Sequence, residues 1–538
     1  MKTFIKLTFG IFLVLFFIGC AKNFDKINKN PNNPAEVTTA SLLTAAQKGL
    51  CDDIYDEWWG GRQSMLYAQY WCQRNYPSED RYAIRQNTNS TYWRLIYHDA
   101  MILQQIIDLN TNPETKAKAG TSGDNNNQIA CATILKIWVM QMMADTYGNI
   151  PYSEALMAGE TPTPKYDALP DIYAKFLEQL AAVIGTIDES AGGFNSGDVI
   201  YGGDMSLWKK FGNSLRLRIA MRMSGTESPK YKTANALVAE VGTDGFMTSN
   251  ADNAAFAYIG ATPNNSPLYD AFWTSARNDF TTCKTLVNLL KGVDDTLNPT
   301  DPAKINPFHG LTDPRLQIYS RKRGGKYIGM PYGMTEGQTQ NYWNKKLCPS
   351  FYGPAAYSSA TAPVILNAKF APVYMEYAEV EFMLSELNNW DQSHYEAGVR
   401  ASMEHWRDVC IDLEGWSPDK IATYNTDVDA YIAAMPAATK TTVMTQKYLA
   451  FFNQGYQAWF EYNRTGEPGF LLRPGQNASV DADGNMITFI PLVTLTNLPL
   501  RMTYPQQEFT VNASSVTAAV AALGAGGDAM STKLWWEP

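Results

Sequence analysis

The sequence predicts a mainly α-helical protein, a helical scaffold joined to a large loop-rich region with few short strands. Two observations carry this. Apolar residues recur at helical spacing in the sets Tyr92, Ile96, Ala100, Leu103 and Ile107; Leu207, Phe211, Leu215 and Ile219; and Val373, Tyr377, Val380, Leu384 and Leu387. Each set falls on one face of a helix. Residues 244–280, 297–368 and 464–534, by contrast, are rich in Gly, Pro, Asn, Thr and Tyr. Stretches of that length are not ordinary connections; they carry function or small strands.

From the N-terminus, Lys2 and Lys6 precede an almost unbroken apolar stretch, Leu7 to Ile18, followed at once by Gly19-Cys20. The stretch is short for a membrane span and fits the apolar region of a signal peptide. A small residue before Cys at its end is the lipobox arrangement, although Phe17 stands where Leu is usual. The reading is a lipoprotein signal peptide over 1–19 and lipidation of Cys20, with several acyl chains making the attachment stable. Residues 20–37 are polar and end in Asn28-Lys-Asn-Pro-Asn-Asn-Pro34, a tether. Residues 38–538 are read as one domain. Beyond the periodic sets, helices are expected near 39–58, 61–73, 128–145, 170–186, 281–291, 394–411 and 439–462, with Pro170-Asp171 as a helix start. Tyr147-Gly148-Asn149-Ile150-Pro151 reads as a helix stop, because Gly takes a positive φ and Pro forbids continuation. No repeat of fixed period is legible.

Charge and composition exclude several classes. The net charge of −9 becomes −11 once Lys2 and Lys6 leave with residues 1–19, which argues against nucleic acid as a partner. Cys51, Cys72, Cys131, Cys283, Cys348 and Cys410 show neither a CxxC pair nor ligand spacing, so neither a zinc site nor a disulfide framework is supported. His394 and His405 are too far apart along a helix to share a metal, and no cofactor fingerprint is present. Glu379 and Glu381 are two residues apart and cannot form a carboxylate pair on one helix face. Arg218 and Arg222 lie one turn apart and are read as anchors for buried carboxylates or loop carbonyls.

Several segments, in order, resemble one family. They are Asn23-Phe-Asp-Lys-Ile-Asn-Lys-Asn-Pro-Asn-Asn-Pro34, Asp145-Thr-Tyr-Gly-Asn-Ile-Pro-Tyr-Ser-Glu-Ala155, Pro164-Lys-Tyr-Asp167 and Trp208 to Arg222. Asp313-Pro-Arg315, Tyr377-Ala-Glu-Val-Glu-Phe382, Gln446-Lys-Tyr448, Trp459-Phe-Glu-Tyr-Asn-Arg464, Arg501-Met-Thr-Tyr-Pro505 and Trp535-Trp536 follow. Together they are similar to the SusD/RagB family of nutrient-binding outer-membrane lipoproteins. The resemblance implies tetratricopeptide-like helix pairs and a location on the outer face of an outer membrane. It implies a SusC-like TonB-dependent transporter as partner, over which the protein closes as a lid. It also implies an oligosaccharide, or sometimes a peptide, as ligand, and no catalysis.

A sugar ring presents apolar C–H faces with hydroxyls at its edge, so its site needs flat aromatics with polar side chains at the rim. Segment 67–86 holds that mixture in Trp71, Arg74, Asn75, Tyr76 and Tyr82, together with Tyr67, Tyr70, Gln73, Arg81 and Arg85. A second cluster centres on Trp273 and Arg277, with Tyr269, Phe272, Asn278 and Asp279; a third contains Tyr332 and Trp343, with Tyr327, Tyr342 and Tyr352. Each also suits loop packing. Two other readings stay open: an exported glycoside hydrolase, which needs two carboxyls about 5–9.5 Å apart, and a lipid-anchored peptide-binding or interaction protein.

Overall fold

The computed structural model describes residues 37–157, 160–226, 233–345, 347, 349–350, 352–353, 357, 362–481 and 483–538. The proposed signal segment, Cys20, the tether as far as residue 36, and Cys348 lie outside the described residues.

The chain builds its first layer from five helices: α1 (Thr39–Ile54), α2 (Gln86–Thr111), α3 (Asn125–Tyr147), α4 (Leu169–Ile184) and α5 (Met205–Arg222). Each packs on the next in sequence, so the neighbours form successive helix pairs. Side-chain caps set their starts: Thr38 accepts from Ser41 N, Asp124 from Asn127 N, and Asp204 from Ser206 N. Gly148, at φ +90°, ends α3 as the sequence predicts. By length and composition α3 is apolar enough to cross a membrane, yet 94% of its apolar window is buried in the protein. A helix apolar on every side belongs at the centre of a core, which is where α3 sits.

A short helix, α6 (Ala234–Val241), packs on α5. After the loop-rich middle come α7 (Lys284–Leu290) and α8 (Glu336–Asn344). The second helical layer is α9 (Tyr377–Leu387), α10 (Gln392–Glu414), α11 (Pro418–Ala434), α12 (Lys440–Ala450) and α13 (Gly455–Thr465). Helix α14 (Ala513–Ala522) closes the set. Contacts between α5 and α9 join the two layers over one continuous hydrophobic core.

The recurring motifs converge on a buried charge lattice at this junction. Arg218 grips Glu379 through two bonds of 2.7 and 2.6 Å. Arg222 lies 3.3 Å from Asp145 and 3.1 Å from Glu461, which also takes Lys447 and Arg464. Arg464 in turn holds Glu386 at 2.7 Å on both nitrogens. Arg315 binds Asp313, Ser402 and Gln446, and Arg501 binds the Tyr147 carbonyl and Asp528. Arginine forks suit such bidentate pairing. The expectation that Arg218 and Arg222 anchor buried carboxylates is met. His394 pairs with Glu381, and no metal-competent cluster is found among the described residues. Cys51, Cys72, Cys131, Cys283 and Cys410 are buried.

Among the described residues, three two-stranded antiparallel ladders accompany the helices: β1 (Trp71–Gln73) with β3 (Phe280–Thr282), β2 (Ala254–Ala255) with β4 (Val373–Met375), and β5 (Asn477–Val480) with β6 (Met486–Thr488).

Several boundaries differ from expectation. Helix α1 stops at Ile54, not 58, because Asp56 accepts the N–H groups of Trp59 and Gly60 at 2.7 and 3.1 Å and opens a new turn. The expected helix over 61–73 is instead a π-helical turn, Gly60–Ser64, a single α-turn to Tyr67, and then β1. Only glycine fits at 60, where a Cβ would overlap the Ile54 carbonyl oxygen. The 439–462 segment breaks between α12 and α13 at Asn453, φ +71°. Helices α8 and α14 lie in stretches read as non-helical, and α8 carries a capping box between Thr335 and Gln338.

Candidate functional site

The β1–β3 ladder builds the site. Its register pairs Trp71 with Thr282 and Gln73 with Phe280, and Arg74 N continues it to the Asp279 carbonyl at 2.7 Å. The chain after β1 therefore runs beside the chain before β3, bringing Asn75 within 3.3 Å of both Asn278 and Asp279. The π-turn supplies Arg62 from the third side. Its guanidinium is buried and bonds Glu79 at 2.6 Å and Asp279 at 3.0 Å. Glu79 also takes Arg85 at 2.8 Å, and Asp279 takes Arg277.

Two exposed aromatic rings sit on this charged frame. Trp58 is 42% exposed and Tyr76 is 57% exposed. The Arg62 guanidinium lies 5.0 Å from the Trp58 ring and 5.5 Å from the Tyr76 ring. Arg277 sits 4.7 Å from Trp58, and Arg85 5.8 Å from Tyr76. Cation–π contacts fix otherwise mobile surface rings. Tyr76 has φ +62°, a left-handed conformation unfavourable to a bulky residue and found where surrounding structure imposes it.

Beside Trp58 opens a pocket of about 390 Å³, lined by Asp53, Asp56, Asn87, Thr88, Thr91 and Tyr92 among others. Its carboxyls are held toward the neutral form. Burial, then the charge of Asp99, pushes Asp53 up, and burial does the same to Asp99. Burial raises Asp56 despite the two backbone N–H groups it accepts.

The structure divides the sequence-predicted residues. Asn75, Tyr76 and Arg277 are brought together at the frame, and Arg74 adjoins it through Asp279. Trp343 is partly exposed, with Arg74 4.7 Å and Arg323 5.0 Å from its ring, so the third cluster reaches toward the first. Trp273 is partly exposed, and its indole donates to the Leu366 carbonyl at 3.0 Å. Trp71, Tyr82 and Tyr332 are interior. Trp71 lies among Phe272, Phe280 and Tyr352, while Tyr82 and Tyr332 both pack on Phe489. The expectation that they offer a ring to a ligand is corrected: a strand buried on both faces leaves Trp71 no open side. Sequence reading missed Trp58 and Arg62.

A two-layer helical scaffold that consumes its charged motifs internally, and shows two arginine-braced rings beside a polar pocket, is built as a binding module. The chain belongs to the SusD-like family described as starch-binding and associating with the outer membrane, whose model matches residues 31–491. Among solved structures, a SusD homologue from Parabacteroides distasonis superposes with a TM-score of 0.70 at 22% identity, over 93% of this chain and 98% of that one. A chitin-binding protein gives 0.66 at 22% identity, over 93% and 100%. A chitin-binding SusD homologue from Flavobacterium johnsoniae gives 0.63 at 22% identity, over 92% and 97%. At these identities the likeness is one of fold. The search of curated proteins gave no match.

Proposed function

We propose that the protein is a lipid-anchored receptor on the outer face of the outer membrane. It captures a nutrient oligosaccharide on Trp58 and Tyr76 and delivers it uncleaved to a SusC-like TonB-dependent transporter, which it covers as a lid. One observation carries the ligand class: two exposed rings fixed by one buried guanidinium, next to a pocket of carboxyl, amide and hydroxyl groups. Rings of that kind take the C–H faces of a sugar, and the rim takes its hydroxyls. Asn75 and Arg277 stand at the rim. The carboxyls that line the pocket are engaged structurally: Asp56 accepts two backbone N–H groups, and Asp53 is paired with Asp99. Both are therefore assigned to shaping the pocket.

Calorimetry against maltohexaose and chitohexaose, with product analysis of the same mixtures, tests the reading. Trp58→Ala and Tyr76→Ala should each remove roughly 1–3 kcal/mol of binding at unchanged helical content. Shortened saccharides appearing in proportion to protein would favour the hydrolase instead. Full affinity in both variants would place the ligand elsewhere.

A further inference from the structure

Residues 321–327 read Arg-Lys-Arg-Gly-Gly-Lys-Tyr, four cations within six positions of an acidic chain. Gly324 and Gly325 take φ +57° and +78°, and Arg323 and Lys326 exchange backbone hydrogen bonds of 2.9 and 3.2 Å around them. Two positive-φ residues between such a pair mark a tight two-residue hairpin turn. The turn projects Lys326 and leaves Tyr327 at its foot, with Lys322 Nζ 5.1 Å from the Tyr327 ring centre.

Tyr327 stands between two grooves. One, of about 630 Å³, is lined by Lys284, Lys291 and Lys326 and, among the described residues, by no acid. The other, of about 520 Å³, contains Lys322. Thr312, Leu316 and Tyr327 line both, so the grooves form one trough across the tyrosine. The trough has two acids, both in the smaller groove: Asp313, already bound by Arg315 at 2.6 Å, and Asp427. The Lys284 ammonium is tied to the Ala478 carbonyl at 3.2 Å.

Lysines gathered in a concave surface repel one another and concentrate anions there. Ammonium groups act as point charges toward carboxylate or sulfate. Between them stand a half-buried ring and the side chains of Asn288, Thr312 and Ser479, which match a sugar face and its hydroxyls better than a bare inorganic anion. We propose that this trough is a second binding site, for an acidic oligosaccharide bearing carboxylate or sulfate groups, with Lys284, Lys291, Lys322 and Lys326 as its anion contacts and Tyr327 as its platform. It shares no residue with the Trp58 site and stands independently of it.

Calorimetry with hexagalacturonate, a sulfated heparin hexasaccharide and neutral maltohexaose separates the chemistries. At least one acidic hexasaccharide should bind, more tightly at low ionic strength, and the arm that binds identifies carboxylate or sulfate. Lys322→Gln/Lys326→Gln changes only exposed side chains and leaves the fold intact. It should weaken acidic binding about tenfold, the loss of two charge-assisted contacts, and leave maltohexaose unaffected. Tyr327→Ala should weaken it further, whereas Trp58→Ala should not. Equal affinity for acidic and neutral sugars, no change in the double lysine variant, or loss of acidic binding in Trp58→Ala would overturn the proposal. So would binding only to vesicles of equimolar phosphatidylcholine and phosphatidylglycerol.

Discussion

Arg222 and Arg62 are both buried guanidiniums shared between two carboxylates, yet they serve opposite ends. Arg222 lies between Asp145 and Glu461, 2% exposed, under the rings of Phe460 and Trp536. Arg62 lies between Glu79 and Asp279, 1% exposed, but two of the rings beside it open to solvent. The ion-pair chemistry is the same; what differs is where the surrounding rings face. In the first place the charges lock two helical layers together. In the second they hold Trp58 and Tyr76 at the surface, where apolar rings would otherwise collapse inward.

The largest effect that can break this comparison falls on the sealed lattice. Burial alone would push the Glu461 carboxyl up, but Arg464, Lys447 and Arg222 outweigh it and hold the group far below its ordinary range. Glu461→Gln leaves three buried cations short of their shared anion and should cost about 3–5 kcal/mol in urea unfolding, the usual price of breaking a buried pair from one side. An unchanged midpoint would mean the lattice is not what joins the layers.

A smaller effect distinguishes the lattice by pH. Glu376, buried at the start of α9, is pushed up to about 8, first by burial and then by the charge of Glu379. A folded pKa above the unfolded one favours folding fully below the unfolded value of 4.5 and loses that contribution as pH rises through about 8. Thermal stability should therefore decline between about pH 4.5 and about pH 8 and level off above it, and Glu376→Gln, neutral throughout, should flatten that limb. A variant that declines as steeply as the parent would assign the limb to other groups.

How far the sequence discloses these two regions follows from the range of their contacts. The scaffold was largely legible, since helix spacing, the Pro170-Asp171 start and the Gly148 stop are local signals. The architectural role of Arg218 and Arg222 was legible too, because cations on an apolar helix must find buried partners. The Arg62–Asp279 pair was not: it spans 217 positions and depends on the β1–β3 register, which no local pattern encodes. Trp71 misled because its polar neighbours resemble a binding loop, whereas the strand is buried on both faces. Trp58 left a signal. Adjacent tryptophans on a helical turn cannot face the same way, and Trp59, stacked on Tyr92 at 4.0 Å, takes the core and leaves Trp58 outside.

The smallest effect tests whether the surface region stores strain to display its ring. Tyr76 holds φ +62°. A left-handed backbone costs a residue with a Cβ roughly 1–2 kcal/mol, and glycine nothing comparable. Against this, glycine loses about 0.5–1 kcal/mol more in backbone entropy on folding than alanine does. Tyr76→Gly should then be more stable than Tyr76→Ala by somewhat under about 1 kcal/mol, while both lose the same share of saccharide affinity, since both lose the ring. Paired urea titrations and calorimetry read the two quantities separately. Equal stability of the variants would show that residue 76 relaxes out of the left-handed region once the ring is gone. In that event the ring's contacts with Arg62 and Arg85 impose the conformation, rather than the β1–β3 backbone around it.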